Sequence, residues 1–364
     1  MTKRVNYIDN LRWLTVSLLI LYHAAMAYNT WGEPNYIFFK EVKIFAAFVS
    51  FVSPWFMPIM FLLAGVSARY SIQKRGIAQF IKERFFRLGI PFVFGEFFIC
   101  PILSYIADVS HNGYSDGFFA HFGIYFSRFT DLSGYDGGFT LGHFWFLAVL
   151  MIISILSCAV IKLIGRADAD PQKLLIIGLV LACVAAGAFD VNILGKRVVT
   201  YMCVYLLGYY FFSQPEYVHS LTKHKWLFTW IFLGANLANT VIFIFIGGLT
   251  VLNNICNYAS FVFAVPALMT LAHDHLDFSN RVTALNSRIS YMFYIIHFPI
   301  TVLAQYLLAK TGVGAVLNLP LTIIIAYPLS YALCVAVDKT RYLRVLFGSK
   351  SKPNRIVMTK SSPR

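Results

Sequence analysis

LRWLTVSLLILYHAAMAY, running from Leu11 to Tyr28, is an apolar stretch long enough for most of a membrane crossing, and it carries two residues foreign to lipid, Arg12 and His23. They are eleven positions apart. At about 100° per residue, eleven steps return to within roughly 20° of the starting face, with a rise of about 16 Å. As a helix, the stretch therefore points both side chains the same way, one near each end. Ionisable groups inside a spanning helix are costly and usually face a bundle interior or a wet cavity. The alternative is an Arg that snorkels to head groups and a neutral His bonded to a neighbouring helix.

The rest of the chain resembles this opening. Its 364 residues are 59% hydrophobic and 13% charged, with a mean hydropathy of +0.68. Soluble domains carry about twice that charged fraction. The apolar runs are continuous and about 20 residues long, which predicts an all-α, polytopic bundle of membrane helices and favours it over a barrel. Thirty Lys and Arg against sixteen Asp and Glu give a formal charge of +14. The basic residues gather in short segments between apolar runs, so they read as the positive-inside pattern and not as a nucleic-acid surface. The expected partners are the lipid bilayer and a phosphate-bearing ligand. The six cysteines all fall in apolar runs without paired spacing, as small buried hydrophobes do, and no metal site is expected. Lys3 and Arg4 before the first stretch and Ala25-Met26-Ala27 within it resemble a signal peptide, but His23 and the membrane domain that follows at once favour a retained helix.

Ten spans are expected, at about 11–28, 44–67, 86–106, 141–163, 173–189, 197–213, 226–247, 251–272, 289–309 and 318–337. Arg69, Lys74, Arg75, Lys82, Arg84 and Arg87 surround a single Glu83, which predicts a cytoplasmic segment. The connection 107–140 holds Asp108, Asp116, Asp131 and Asp136 against Arg128 and is expected outside. Both termini are then cytoplasmic, with residues 1–340 as a single membrane domain and 341–364 as a basic tail. This orientation puts Arg12 at the inner face, His23 and His143 in the outer third, and Glu96 and His297 near the middle, as one vertical column.

Four constellations carry chemistry. Asp9 and Arg12, three apart, can pair and fix a guanidinium suited to phosphate, while His23 is a residue type able to serve as general base. A ligand spanning the two would be about 16 Å long, anionic at the inner end and reactive at the outer. Coenzyme A has that shape. Arg84 and Arg87 share a face just before Pro91 and are either ordinary inside anchors or, with Arg12 and Arg69, a collar for phosphates. Gly142-His143-Phe144-Trp145-Phe146-Leu147 offers His143 as an orienting group or as a partner of loop backbone, and Trp145 as a support residue or an interfacial belt residue. Ser290, Tyr294 and His297 form a polar stripe that lines a cavity or bonds between helices. Glu96 either pairs with an Arg or His of the column or carries a proton.

In this order, the motifs resemble the membrane-bound acyltransferase three family: Asp-x-x-Arg, then Arg12 with His23, Phe-Leu-Leu-Ala-Gly closing the second span, Arg84-x-x-Arg87 before Pro91, His-Phe-Trp-Phe-Leu, and Tyr294-x-x-His297. The likeness covers nearly the whole chain. It is strongest to the glucans biosynthesis protein C branch, whose members succinylate periplasmic glucans, through Asn10-Leu11-Arg12-Trp13 and the aromatic Tyr28–Ile37 segment. Trp13 stands where the family more often has Gly, which weakens assignment to other branches such as O-antigen acetylation. The resemblance implies an O-acyltransferase of the cell membrane that moves acetyl or succinyl from cytoplasmic acyl-CoA, its co-substrate, to a carbohydrate hydroxyl, with no tightly bound cofactor. Arg12, Arg84 and Arg87, helped by Arg69, would hold the CoA phosphates, and the pantetheine arm would pass Tyr294 and His297. His23 would deprotonate the acceptor or, alternatively, carry the acyl group itself. Asp9, Glu96, His143, Trp145 and Ser290 would support the site. His297, Tyr294 and His143 are the candidate oxyanion donors. A secondary transporter of an anionic solute using the same column is the rival reading, although no inverted repeat is visible. A second copy of the chain is left open as a partner.

Overall fold

The computed structural model describes residues 5–165, 170–193 and 196–348, and it is a bundle of helices from end to end. In lipid, backbone N–H and C=O groups find no water, so apolar runs of this length close their hydrogen bonds within helices. The first stretch gives α1 (Asn6–Ser17) and α2 (Leu19–Met26). The long α3 (Lys43–Arg75) follows, then α4 (Ile77–Arg84), a π turn (Phe85–Gly89), α5 (Ile90–Phe98) and α6 (Cys100–His111). A connection bearing the short α7 (Phe122–Tyr125) leads to α8 (Trp145–Ile164). After α9 (Pro171–Val184) come two short antiparallel strands, β1 (Asn192–Ile193) and β2 (Lys196–Arg197). The remaining helices are α10 (Val198–Leu207), α11 (Pro215–Thr222), α12 (Lys225–Val241), α13 (Thr250–His275), α14 (Arg281–Lys310), α15 (Ala315–Lys339) and α16 (Arg341–Leu346).

Among the described residues, seven helices are long and apolar enough to cross a membrane. Each matches one of the ten expected spans. The other three spans are helical but different in kind: Lys173–Ala188 and Val198–Phe212 are shorter, and the first is broken at Leu18. The break has a local cause. Thr15 and Ser17 turn their hydroxyls onto the carbonyls of Leu11 and Leu14, and such back-bonding bends helices. The segment from Arg69 to Arg87 is also helical, interrupted only at Gly76, whose φ of 78° lets α3 turn sharply into α4.

Without a hydrophobic drive between helices in lipid, close packing and hydrogen bonds hold the bundle. The tightest crossing is α3 on α10 and the π turn after it. A Cβ at Gly65 would lie 1.9 Å from the Tyr205 carbonyl oxygen, and one at Gly208 would lie 2.2 Å from that of Leu62.

At the far end of α3 from Gly76, the connections 27–42 and 112–141 lock together as a cap. Tyr36 Oη donates to the Ser133 carbonyl at 2.9 Å and sits 2.6 Å from Thr140 Oγ1. Asp108, expected to be an outward acid, is buried, with His121 at 3.1 Å and Arg128 at 3.5 Å. Burial lowers the His121 imidazole below its ordinary value, against an opposing pull from Asp108.

Of the expected basic tail, residues 349–364 lie outside the described residues. Residues before them pack back on the bundle: Arg344 is buried at 3.5 Å from Asp338, and Phe347 joins the core.

Candidate active site

A cavity of about 400 Å³ lies beneath the cap, walled by α2, the capped half of α3, the start of α8 and α14. His23, His143 and Tyr294 line it. His297, which is fully buried, stands behind them, with its ring centroid 5.4 Å from both His23 and His143. The three histidines therefore form one cluster.

Proline placement explains how the cluster is built. Pro299 has no N–H for the Ile295 carbonyl four residues back, and His143 Nε2 takes that oxygen at 3.0 Å. His143 is thus tied to helix backbone and not to its loop. Tyr294 Oη returns a hydrogen bond to the His143 carbonyl. His297 Nδ1 bonds the Phe293 carbonyl at 2.9 Å.

A carbonyl only accepts, so in the neutral form Nε2 of His143 and Nδ1 of His297 carry their protons. The opposite nitrogens, His143 Nδ1 and His297 Nε2, have no hydrogen-bond partner and present lone pairs. Neither neutral histidine can donate to an oxyanion from that side, and the Tyr294 proton is already committed. Both are suited instead to steering a cationic or N–H-bearing His23. His23 itself lies 4.1 Å, centroid to centroid, from the Phe298 ring, within the cavity wall.

The arginines gather at the other end. Arg12 Nη1 pairs with Asp9 at 2.8 Å, as the three-residue spacing predicts, and Nη2 reaches Ser67 Oγ at 2.8 Å. Arg12 and Arg84 lean at 3.5 Å on consecutive carbonyls of α3, those of Leu63 and Ala64. Arg87 is within electrostatic range of both. Pro91 again leaves a carbonyl free four residues back, that of Arg87, and Tyr291 Oη donates to it at 2.8 Å. Arg69 is turned elsewhere, over the Tyr209 ring at 5.2 Å.

The distance between the two ends can be read along α3. Arg12 touches residues 63 and 67, whereas Tyr22, next to His23, touches Ser53. Ten to fourteen helical residues separate them, roughly 15–21 Å. The break at Leu18 does not spoil the spacing.

Other expected residues fall differently. Among the described residues Glu96 pairs with no Arg or His; it accepts from Tyr125 Oη at 3.1 Å, because α5 turns it toward the cap and away from the cluster. Ser290 donates to its own helix at Ser287 and is absent from the cavity wall. Trp145 is in the wall, beneath the Lys196 ammonium at 4.7 Å. Sequence reasoning missed Lys196, Glu33, Tyr36 and Tyr201, all of which line the cavity. Their signal was weak: a lone basic pair before the sixth span and an aromatic loop after the first. Burial lowers the Lys196 ammonium below the ordinary lysine value, opposed by Glu33. All six cysteines are free thiols, and among the described residues no cluster of metal-ligating type occurs.

A buried histidine cluster under a polar cap, one helix-length from three arginines, suits a charged donor and a reacting hydroxyl. The sequence profile of the acyltransferase domain matches residues 5–339. The chain belongs to the membrane-bound acyltransferase three family. No curated protein and no solved structure matches it. The family match covers nearly the whole bundle, both ends of the site included, and takes the enzyme side of the two sequence readings. This is a multi-pass membrane acyltransferase.

Proposed function

We propose that this acyltransferase moves a short acyl group from acyl-CoA, bound as co-substrate from the cytoplasmic side, to a carbohydrate hydroxyl on the outer side of the cell membrane. The observation that carries the reading is the placing of His23 in the cavity wall, roughly 15–21 Å along α3 from the Arg12–Arg84–Arg87 group. The three guanidiniums would hold the CoA phosphates, Asp9 fixing Arg12 from behind. Arg69, over Tyr209, would meet the donor only at its edge. The thin pantetheine arm would then run between α1–α2 and α14, past Tyr294, and deliver the thioester under the cap.

His23 takes the acceptor hydroxyl proton as that oxygen attacks the thioester carbon. The tetrahedral intermediate collapses, the C–S bond breaks, and the CoA thiolate leaves and is reprotonated by His23. The lone pairs of His143 and His297 stabilise the imidazolium at its most charged moment, much as a carboxylate does in other base-assisted acyl transfers. Direct attack, with no acyl-histidine, suits a His23 whose neighbour His297, its ring centroid 5.4 Å away, keeps one ring nitrogen without a hydrogen-bond partner. Between acetyl and succinyl, the Lys196 ammonium in the same wall favours an acyl group ending in a carboxylate, in keeping with the likeness to the glucan-succinylating branch.

Labelled succinyl-CoA and a glucan acceptor, offered to purified protein, test the reading. His23→Ala is expected to lower kcat by about 100-fold or more with normal expression. Arg12→Gln is expected to raise the donor KM by roughly tenfold with a smaller change in kcat. Retained transfer in His23→Ala would remove the base. Unchanged donor KM in Arg12→Gln would remove the phosphate anchor.

A further inference from the structure

A second cavity, of about 410 Å³, adjoins the first and shares Tyr22, Glu33, Ser53 and Tyr201 with it. Its volume is that of small-molecule sites. It lies among the ends of α3, α10, α12 and α13 nearest the cap, and no step of the acyl transfer uses it.

The lining is unusual for a membrane bundle. Asn239, Asn253 and Asn257 all face it, with Arg197, Trp31 and Tyr258. Asn253 Oδ1 has no hydrogen-bond partner, and neither Asn239 nor Asn257 bonds another described residue through its side chain. Arg197 pairs with no carboxylate among the described residues. Three amide side chains along one cavity wall, two of them with no side-chain partner among the described residues, offer donors and acceptors together and suit a ligand that both donates and accepts. Hydroxyls do both; a lipid phosphate only accepts and would call for several cations, where a single Arg is present. Trp31 and Tyr258 add aromatic surface of the kind that packs against the C–H face of a sugar ring.

We infer that this cavity is an acceptor subsite for neighbouring sugar units of an oligosaccharide whose reacting hydroxyl lies at His23. The inference rests on the acyl-transfer reading and adds where the acceptor's units beyond the reacting ring are held.

Two readouts on the full-length protein keep the inference and that reading apart. One is transfer from labelled succinyl-CoA to glucose and to linear glucose oligomers. The other is equilibrium binding of the same sugars without donor. Wild-type kcat/KM is expected to rise about tenfold or more from glucose to the oligomers, with tighter oligomer binding. Asn253→Leu and Asn257→Leu should remove that gain and leave transfer to glucose near wild type. Ala186→Trp, which fills the cavity from the end of α9, should do the same without touching an amide. Oligomers no better than glucose in the wild type, or variants that lose glucose and oligomer transfer alike, would overturn the subsite. Oligomer binding that the three variants weaken, with no transfer to any sugar, would support the subsite while sinking the acyl-transfer reading.

Discussion

His23 is defined less by its own contacts than by the two histidines behind it. Each is fixed in one tautomer by a helix carbonyl, at Ile295 and at Phe293, and each keeps its other ring nitrogen without a hydrogen-bond partner. Lys196 stands in the same wall, and the proposed choice of a succinyl donor rests on its charge. Lys196→Met is expected to lower kcat/KM for succinyl-CoA by roughly tenfold and leave acetyl-CoA nearly untouched, as loss of one partly desolvated ion pair should. An equal effect on both donors would separate Lys196 from acyl choice. His121 bears on stability. Its folded imidazole titrates below the ordinary value of 6.5, so it is neutral when folded and takes up a proton more readily when unfolded. The stability that follows is complete above about pH 6.5 and is lost as pH falls through that value. Thermal melting in detergent should therefore drop between pH 7 and pH 5, and His121→Asn should flatten that slope; an unchanged slope would place its origin elsewhere.

Helices set the geometry through their interruptions. Pro91 and Pro299 each release a carbonyl that a side chain from another part of the chain then occupies, Tyr291 in one case and His143 in the other. The prolines are visible in the sequence, but which side chain fills each gap depends on packing, so Pro299 marked a kink without announcing His143. The Asp9–Arg12 pair was legible because a three-residue helical spacing settles it locally. Glu96 was not, since a lone acid in an apolar helix says nothing about which way α5 is turned, and Tyr125 comes from a loop with no periodic signal. The split of the first span at Leu18 follows from Thr15 and Ser17 and could have been anticipated. At the α3–α10 crossing, Gly65→Ala or Gly208→Ala must push backbones apart. Overpacking of this kind costs about 1–3 kcal/mol, which should appear as a lower melting temperature in detergent. Wild-type melting in both variants would mean that the crossing is looser than its distances imply.

The whole molecule is a bundle with two unlike ends. Apolar runs specified its class and, in outline, its spans, because backbone in lipid has few alternatives to a helix. The arginine group at the Gly76 end was equally legible as clustered charge. The capped end was not: residues 27–42 and 112–141 are joined by contacts such as Tyr36 with Thr140, which link positions far apart in sequence. Yet these loops close the cavity in which His23 sits, and with it the side proposed for the acceptor. The proposed enzyme takes donor at one face and acceptor at the other. Sided transfer in proteoliposomes of defined orientation measures this directly, with labelled acyl-CoA and glucan each confined to one compartment. Acylated glucan is predicted when acyl-CoA is on the side of the Gly76 turn and glucan on the side of the cap. Product formed only when both substrates share one compartment would contradict it.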